Sequence, residues 1–271
     1  METPRAGWMT VRGARLEHAW HGPAAADAPT IVFLHEGLGS VSTWRGFPAR
    51  LAEACGCGAL VYAREGYGRS DPAPLPRPTE FMHDEAAVLD AVLREAGVRD
   101  AILFGHSDGA SIALIHAARF PDSAVRALVL EAPHVFVEDC TVTSIARLPE
   151  RYRTTEMRTR LARHHADVDA TFGRWTEVWL RPEFRAWSIA ELLPSVCLPA
   201  LVIQGDADEY GTMAQVQAIQ AASAGPVEVV TFADTGHAPH AEQGDAVLDA
   251  AAEWIRRILS AESTEPLARL T

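Results

Sequence analysis

The chain has 271 residues, 48% of them hydrophobic, and a formal net charge of −12. That length suits one domain with a large core, and the acidic balance argues against nucleic acid or an anionic membrane as a partner. All 24 basic residues are arginine, so no lysine amine is present for Schiff-base or pyridoxal chemistry.

From the N-terminus, Met1 to Arg5 shows no charged-then-apolar leader. No apolar run approaches the roughly 20 residues that cross a bilayer, so a soluble cytoplasmic protein is expected. Val11 to Trp20 reads as an antiparallel hairpin at a sheet edge. Apolar runs follow at Ile31 to His35, Ala59 to Ala63, Ala101 to Gly105 and Ala127 to Leu130. Helical stretches separate them, the pattern of buried parallel strands. Cys55 and Cys57 form C-x-C rather than C-x-x-C, and with Cys140 and Cys197 they are expected as reduced structural thiols, not metal ligands. Phe81 to Ala96 is expected as a helix closed by Gly97.

The alternation stops between about His134 and Pro194. Arginines, aromatics and short helical segments take over, until Ala200 to Gly205 restores a strand and Val227 to Phe232 adds another. The expected organisation is therefore a core of residues 1–133 and 195–271, with an insertion at 134–194. Within it, Trp175 and Trp179 are four apart and share a helix face. They either pack the insertion onto the core or line an apolar acyl or ring pocket that binds substrate. Arg147, Arg151, Arg153, Arg158, Arg160 and Arg163 crowd one stretch. Either they form a solvated face, paired in part with Glu150 and Glu156, or one of them grips a substrate carboxylate. His164 and His165 are adjacent on the chain and do not face one metal.

Chemistry concentrates around Gly105-His106-Ser107-Asp108-Gly109, a G-x-S-x-G pentapeptide between the run Ala101 to Phe104 and a helix-like stretch from Ala110. Strand, tight turn and helix place a serine hydroxyl at the apex, with the helix N-terminus aimed at it. The backbone N–H of Asp108 is then an oxyanion donor. His106 contacts substrate or packs beneath the turn. A serine nucleophile needs a base and a group to orient it. His237 lies just past the strand ending at Phe232, and Asp206 and Asp208 follow the strand ending at Gly205. Glu131, at the end of the Leu128 to Leu130 run, is a further candidate acid. His240 is expected to be exposed or to play a supporting part.

Four further segments, in order, resemble the α/β-hydrolases over nearly the whole chain: Thr30 to Ser40, Gly66-Tyr67-Gly68-Arg69-Ser70-Asp71, Gly205-Asp206-Ala207-Asp208 and Thr235-Gly236-His237. The resemblance implies an α/β fold with a mostly parallel eight-stranded sheet flanked by helices, and a helical cap inserted after strand 6. It implies a triad of Ser107, Asp208 and His237, with Gly37 as second oxyanion donor and Leu38 as the fallback. Glu36 and Glu65 depart from it, standing where glycine and arginine are usual. The implied activity is cofactor-free and metal-free hydrolysis of a small-molecule carboxylic ester, thioester or lactone through an acyl-enzyme. Hydrolysis of a C–C bond in a ring-cleavage product is the second reading, and ligand binding without catalysis the third. A homodimer is left open.

Overall fold

The computed structural model describes residues 5–262. Eight strands form one sheet: β1 (Arg5–Val11), β2 (Ala14–His21), β3 (Thr30–Leu34), β4 (Gly58–Tyr62), β5 (Ala101–His106), β6 (Val125–Glu131), β7 (Ala200–Gly205) and β8 (Val227–Phe232). Their order is β1-β2-β4-β3-β5-β6-β7-β8. β1 and β2 pair antiparallel with each other, and β2 pairs antiparallel with β4; every other neighbour is parallel. The mostly parallel eight-stranded sheet is thus as expected. The hairpin begins earlier than expected, at Arg5, with Arg12 and Gly13 (φ 51° and 92°) as its turn. Two successive positive φ values match the right-handed twist of the flanking strands. The first strand escaped the sequence reading because it is an edge whose side chains are mostly exposed.

β3, β4 and β5 are buried throughout, so their alternate side chains feed two cores. Ile31, Phe33, Ile102 and Phe104 pack against α1 (Phe47–Cys55) and α10 (Gly244–Glu262). Val32, Leu34 and Leu103 pack on the other face against α2 (Phe81–Glu95) and α3 (Asp108–Arg119). Fully burying such a side chain contributes about 1.5–3 kcal/mol, which makes this double core the rigid frame from which the site is hung.

Between β6 and β7 the chain leaves the sheet and forms α4 (Asp139–Ala146), α5 (Leu148–Thr154), α6 (Met157–Leu161) and α7 (Val168–Leu180). Tyr152 stacks on Phe172 at 3.9 Å, and Trp179, Phe184 and Trp187 form a further aromatic cluster. The six clustered arginines are all exposed. Arg158 pairs with Asp169 at 2.6 Å, eleven residues on, instead of with Glu150 or Glu156. α8 (Met213–Ala222) and α9 (Pro239–Glu242) complete the fold. No helix among the described residues is long and apolar enough to cross a membrane.

Candidate active site

β5 runs directly into Ser107, and α3 begins one residue later. Ser107 takes φ 54° and ψ −117°, a conformation that persists only where its surroundings enforce it. Its N–H donates to the Glu131 carbonyl at 2.9 Å. A Cβ on Gly105 would fall 2.4 Å from the Gly109 carbonyl oxygen, and one on Gly109 would fall 2.0 Å from that of Leu34. Both glycines are therefore required for the turn to sit so close to helix and strand. The Asp108 N–H lies in the first helical turn, where intrahelical acceptors are lacking.

His237 Nε2 is 2.9 Å from Ser107 Oγ, and His237 Nδ1 is 2.9 Å from each Asp208 carboxylate oxygen. Asp208 also accepts from the Gln204 side-chain amide at 2.8 Å and from the N–H groups of Tyr210 and Gly211 at 2.8 and 3.3 Å. Burial pushes its carboxyl up, but His237 and these donors outweigh that and hold it at about 2. An ionised Asp208 can only accept, so Nδ1 carries the proton and Nε2 accepts from the serine hydroxyl. Gln204 was not singled out from sequence. Its signal was present: it is the one polar side chain in the otherwise apolar run Ala200 to Gly205, and a buried amide needs partners.

A second histidine–carboxylate pair lies three residues on. Glu131 accepts from the His240 N–H at 2.6 Å and pairs with His240 Nδ1 at 2.7 Å. Glu131 is thus engaged by His240, not His237, and His240 is packed under Trp44 at 4.8 Å. His106 Nε2 donates to the His237 carbonyl at 2.7 Å, and His106 Nδ1 is 3.6 Å from Glu36. Burial lowers the His106 imidazole, but Glu131 and Glu36 outweigh it and raise it to about 9. An imidazolium that donates to the carbonyl behind His237 packs beneath the turn, away from the cavity around Ser107. His106, Glu131 and His240 bring potential metal-ligand atoms within 4.8 Å of one another, the one such grouping among the described residues. Both Glu131 carboxylate oxygens already accept hydrogen bonds from His240.

The loop after β3 is braced from the opposite face. Arg64 donates to the carbonyls of His35 (2.7 Å) and Glu36 (3.1 Å), and His35 Nδ1–H donates to the Glu36 carbonyl at 2.7 Å. In a trans peptide the N–H points opposite to the C=O. Holding the Glu36 carbonyl toward Arg64 therefore turns the Gly37 N–H the other way. Gly37 has no room for a side chain: a Cβ would fall 1.9 Å from Trp175 Nε1. Leu38 is tied down by His165, whose Nδ1 accepts from the Gly68 N–H at 3.0 Å while its Nε2–H donates to the Leu38 carbonyl at 2.9 Å.

These elements enclose a cavity of about 130 Å³ lined by Ser107, His237, Gly37, Leu38, Trp175 and Trp179 among others. Ser107 is only 5% exposed. Ile145, Leu148 and Met157 from the helices above, and Tyr210 and His134 from the flanks, also line it; none was singled out from sequence. None of the six clustered arginines reaches it. A larger hollow, of about 410 Å³ beside Gly22 and Cys57, holds none of these groups.

A family profile described as the alpha/beta hydrolase family matches residues 31–250. Three solved structures share the architecture. An enol-lactonase from Burkholderia xenovorans LB400 is 21% identical, with TM-score 0.73, over 92% of this chain and 99% of that one. The protein VinJ is 24% identical, with TM-score 0.72, over 94% and 100%. A putative aryl esterase from Burkholderia cenocepacia is 18% identical, with TM-score 0.72, over 94% and 100%.

Proposed function

The chain belongs to the alpha/beta hydrolase family and is a hydrolase; on that premise we propose that it cleaves a small-molecule carboxylic ester, thioester or lactone with a Ser107–His237–Asp208 triad. The observation that carries this reading is the unbroken hydrogen-bonded line from Ser107 Oγ through His237 to an ionised Asp208, at the wall of a mostly apolar cavity. The enol-lactonase and the aryl esterase among the proteins of like fold support the same bond type.

In this mechanism Ser107 Oγ attacks the carbonyl carbon while its proton passes to His237 Nε2. Asp208 keeps the imidazole in the Nδ1–H tautomer and stabilises the imidazolium. The tetrahedral oxyanion is held by the N–H groups of Asp108 and Gly37; losing one such donor costs about 10²- to 10³-fold in rate. Collapse gives the alcohol or thiol, protonated by His237, and an acyl-Ser107. Water, deprotonated by His237, attacks that ester, and the carboxylic acid leaves with Ser107 restored. The helices between β6 and β7 act as a cap that keeps bulk water from the acyl-enzyme.

The test is hydrolysis of p-nitrophenyl acetate and butyrate by wild type and by Ser107→Ala. Wild type is expected to turn over at least one ester, and Ser107→Ala to lose about 10⁵- to 10⁶-fold in kcat with an unchanged circular dichroism spectrum. Equal rates in both proteins would sink the nucleophile assignment.

A further inference from the structure

The cavity has a definite size and a definite charge, and both restrict what it can enclose. An apolar cavity of about 150 Å³ takes up benzene, and this one measures about 130 Å³. Leu38, Ile145, Leu148, Met157, Trp175 and Trp179 form its apolar wall. On the side of Trp175 and Trp179, which are 7% and 2% exposed and packed among other aromatics, there is no room for a longer chain.

Beside the oxyanion donors, the wall offers an anion the indole N–H groups of Trp175 and Trp179 but no arginine. Glu36 is the acid on that wall, and Asp208 lies directly behind His237. The Thr141 hydroxyl is already bonded to the Tyr210 carbonyl. His134 is held neutral, because burial and the adjacent His237 lower it to about 4. Among the described residues no arginine lines the cavity; Arg174, next to Trp175, is buried but donates to the Ala73 carbonyl. The positive charge of His106 is spent on Glu36 and Glu131. A carboxylate entering here would lose its water and meet no arginine to compensate its charge.

We propose that the cavity admits a compact, uncharged group of about the size of a benzene ring, so that the substrate is a small neutral ester rather than an anionic or long-chain one. This rests on the proposed function only in taking the cavity as the substrate's. It also removes the reading in which an arginine of the inserted helices grips a substrate carboxylate.

Two readouts separate this inference from the ester reading. The first is kcat/KM for two ester series in which one half is kept minimal: methyl butyrate, benzoate, decanoate and hemisuccinate, then butyl, benzyl and decyl acetate. Compact neutral members are expected to exceed decanoate, decyl acetate and hemisuccinate by about 100-fold. In Met157→Arg, which puts a cation on a half-exposed position of the wall, the hemisuccinate-to-butyrate ratio is expected to rise about tenfold. Ser107-dependent turnover that favours decanoate or hemisuccinate in wild type would overturn the inference and leave the ester reading standing. The second readout needs no turnover: quenching of tryptophan fluorescence by phenylboronic acid and by 4-carboxyphenylboronic acid. Tighter binding of the uncharged ligand with every ester inert would support the inference and overturn the ester reading. Equal or absent binding of both would overturn the inference.

Discussion

Two histidine–carboxylate pairs stand three residues apart on this chain, His237 with Asp208 and His240 with Glu131, and their hydrogen bonds are of nearly equal length, 2.9 and 2.7 Å. His237 turns its second nitrogen to Ser107 and lines the cavity. His240 packs its ring, tilted, against Trp44 and Phe47, and its acid is fully buried. A paired histidine and acid is therefore not diagnostic of catalysis. The third partner decides, together with whether a substrate can reach it. In the proposed mechanism the His237 pair exchanges a proton, whereas the bonds of the His240 pair tie the loop that carries His237 to β6.

The largest expected effect separates these roles by kinetics. Asp208→Asn keeps the shape but can present its amide to Nδ1, which favours the wrong imidazole tautomer. A fall of about 10⁴-fold in kcat for the best ester is expected. Glu131→Gln should leave kcat within about tenfold, because Glu131 makes no bond to His237. If the two variants exchanged these outcomes, Glu131 would be the functional acid.

Stability should sort them the other way. Glu131 is 0% exposed and carries both His240 and the neighbouring charge of His106. Removing one member of such a buried set costs about 3–5 kcal/mol. Glu131→Gln is expected to lower the unfolding free energy by about that much in urea titration. Asp208→Asn should cost less, about 1–3 kcal/mol, because a carbonyl oxygen in the Oδ1 place keeps the bonds from the Tyr210 and Gly211 N–H groups and only the Gln204 amide loses its acceptor.

How much of this was legible in the chain follows from where each signal lies. Ser107 stands inside five consecutive residues whose two glycines the turn requires, so it could be found locally. Asp208 and His237 each follow a strand that reads as a strand. The β/α order was visible because β3, β4 and β5 are apolar but for Thr30 and His106 at their ends. What could not be read is pairing at a distance. Nothing near Glu36 says that its partner is His106, seventy residues on, and nothing near Glu131 says that it will be met by His240. The cavity wall was hidden for a related reason. Ile145, Leu148 and Met157 come from helices of five to eight residues, too short to display a clear apolar face. Trp175 and Trp179 were found because one longer helix carries both.

The smallest predicted effect tests whether His106 is charged in the way its place between Glu36 and Glu131 implies. His106 faces Glu36 from the loop after β3, Glu131 from β6 and His240 from α9, and it donates to the His237 carbonyl. The two carboxylates raise it from its ordinary 6.5 to about 9 in the folded protein. Between those values the folded state binds a proton that the unfolded chain releases, so stability falls as pH rises. The contribution is complete below about pH 6.5 and is lost through pH 9. A decline of about 1–3 kcal/mol between pH 7 and pH 9.5 is expected in urea unfolding of wild type. His106→Gln can still donate to the His237 carbonyl but cannot titrate, so its profile over that interval should be flat. Parallel decline in both proteins would mean that the alkaline sensitivity belongs to another group, and that Glu36 is held by something other than the charge on His106.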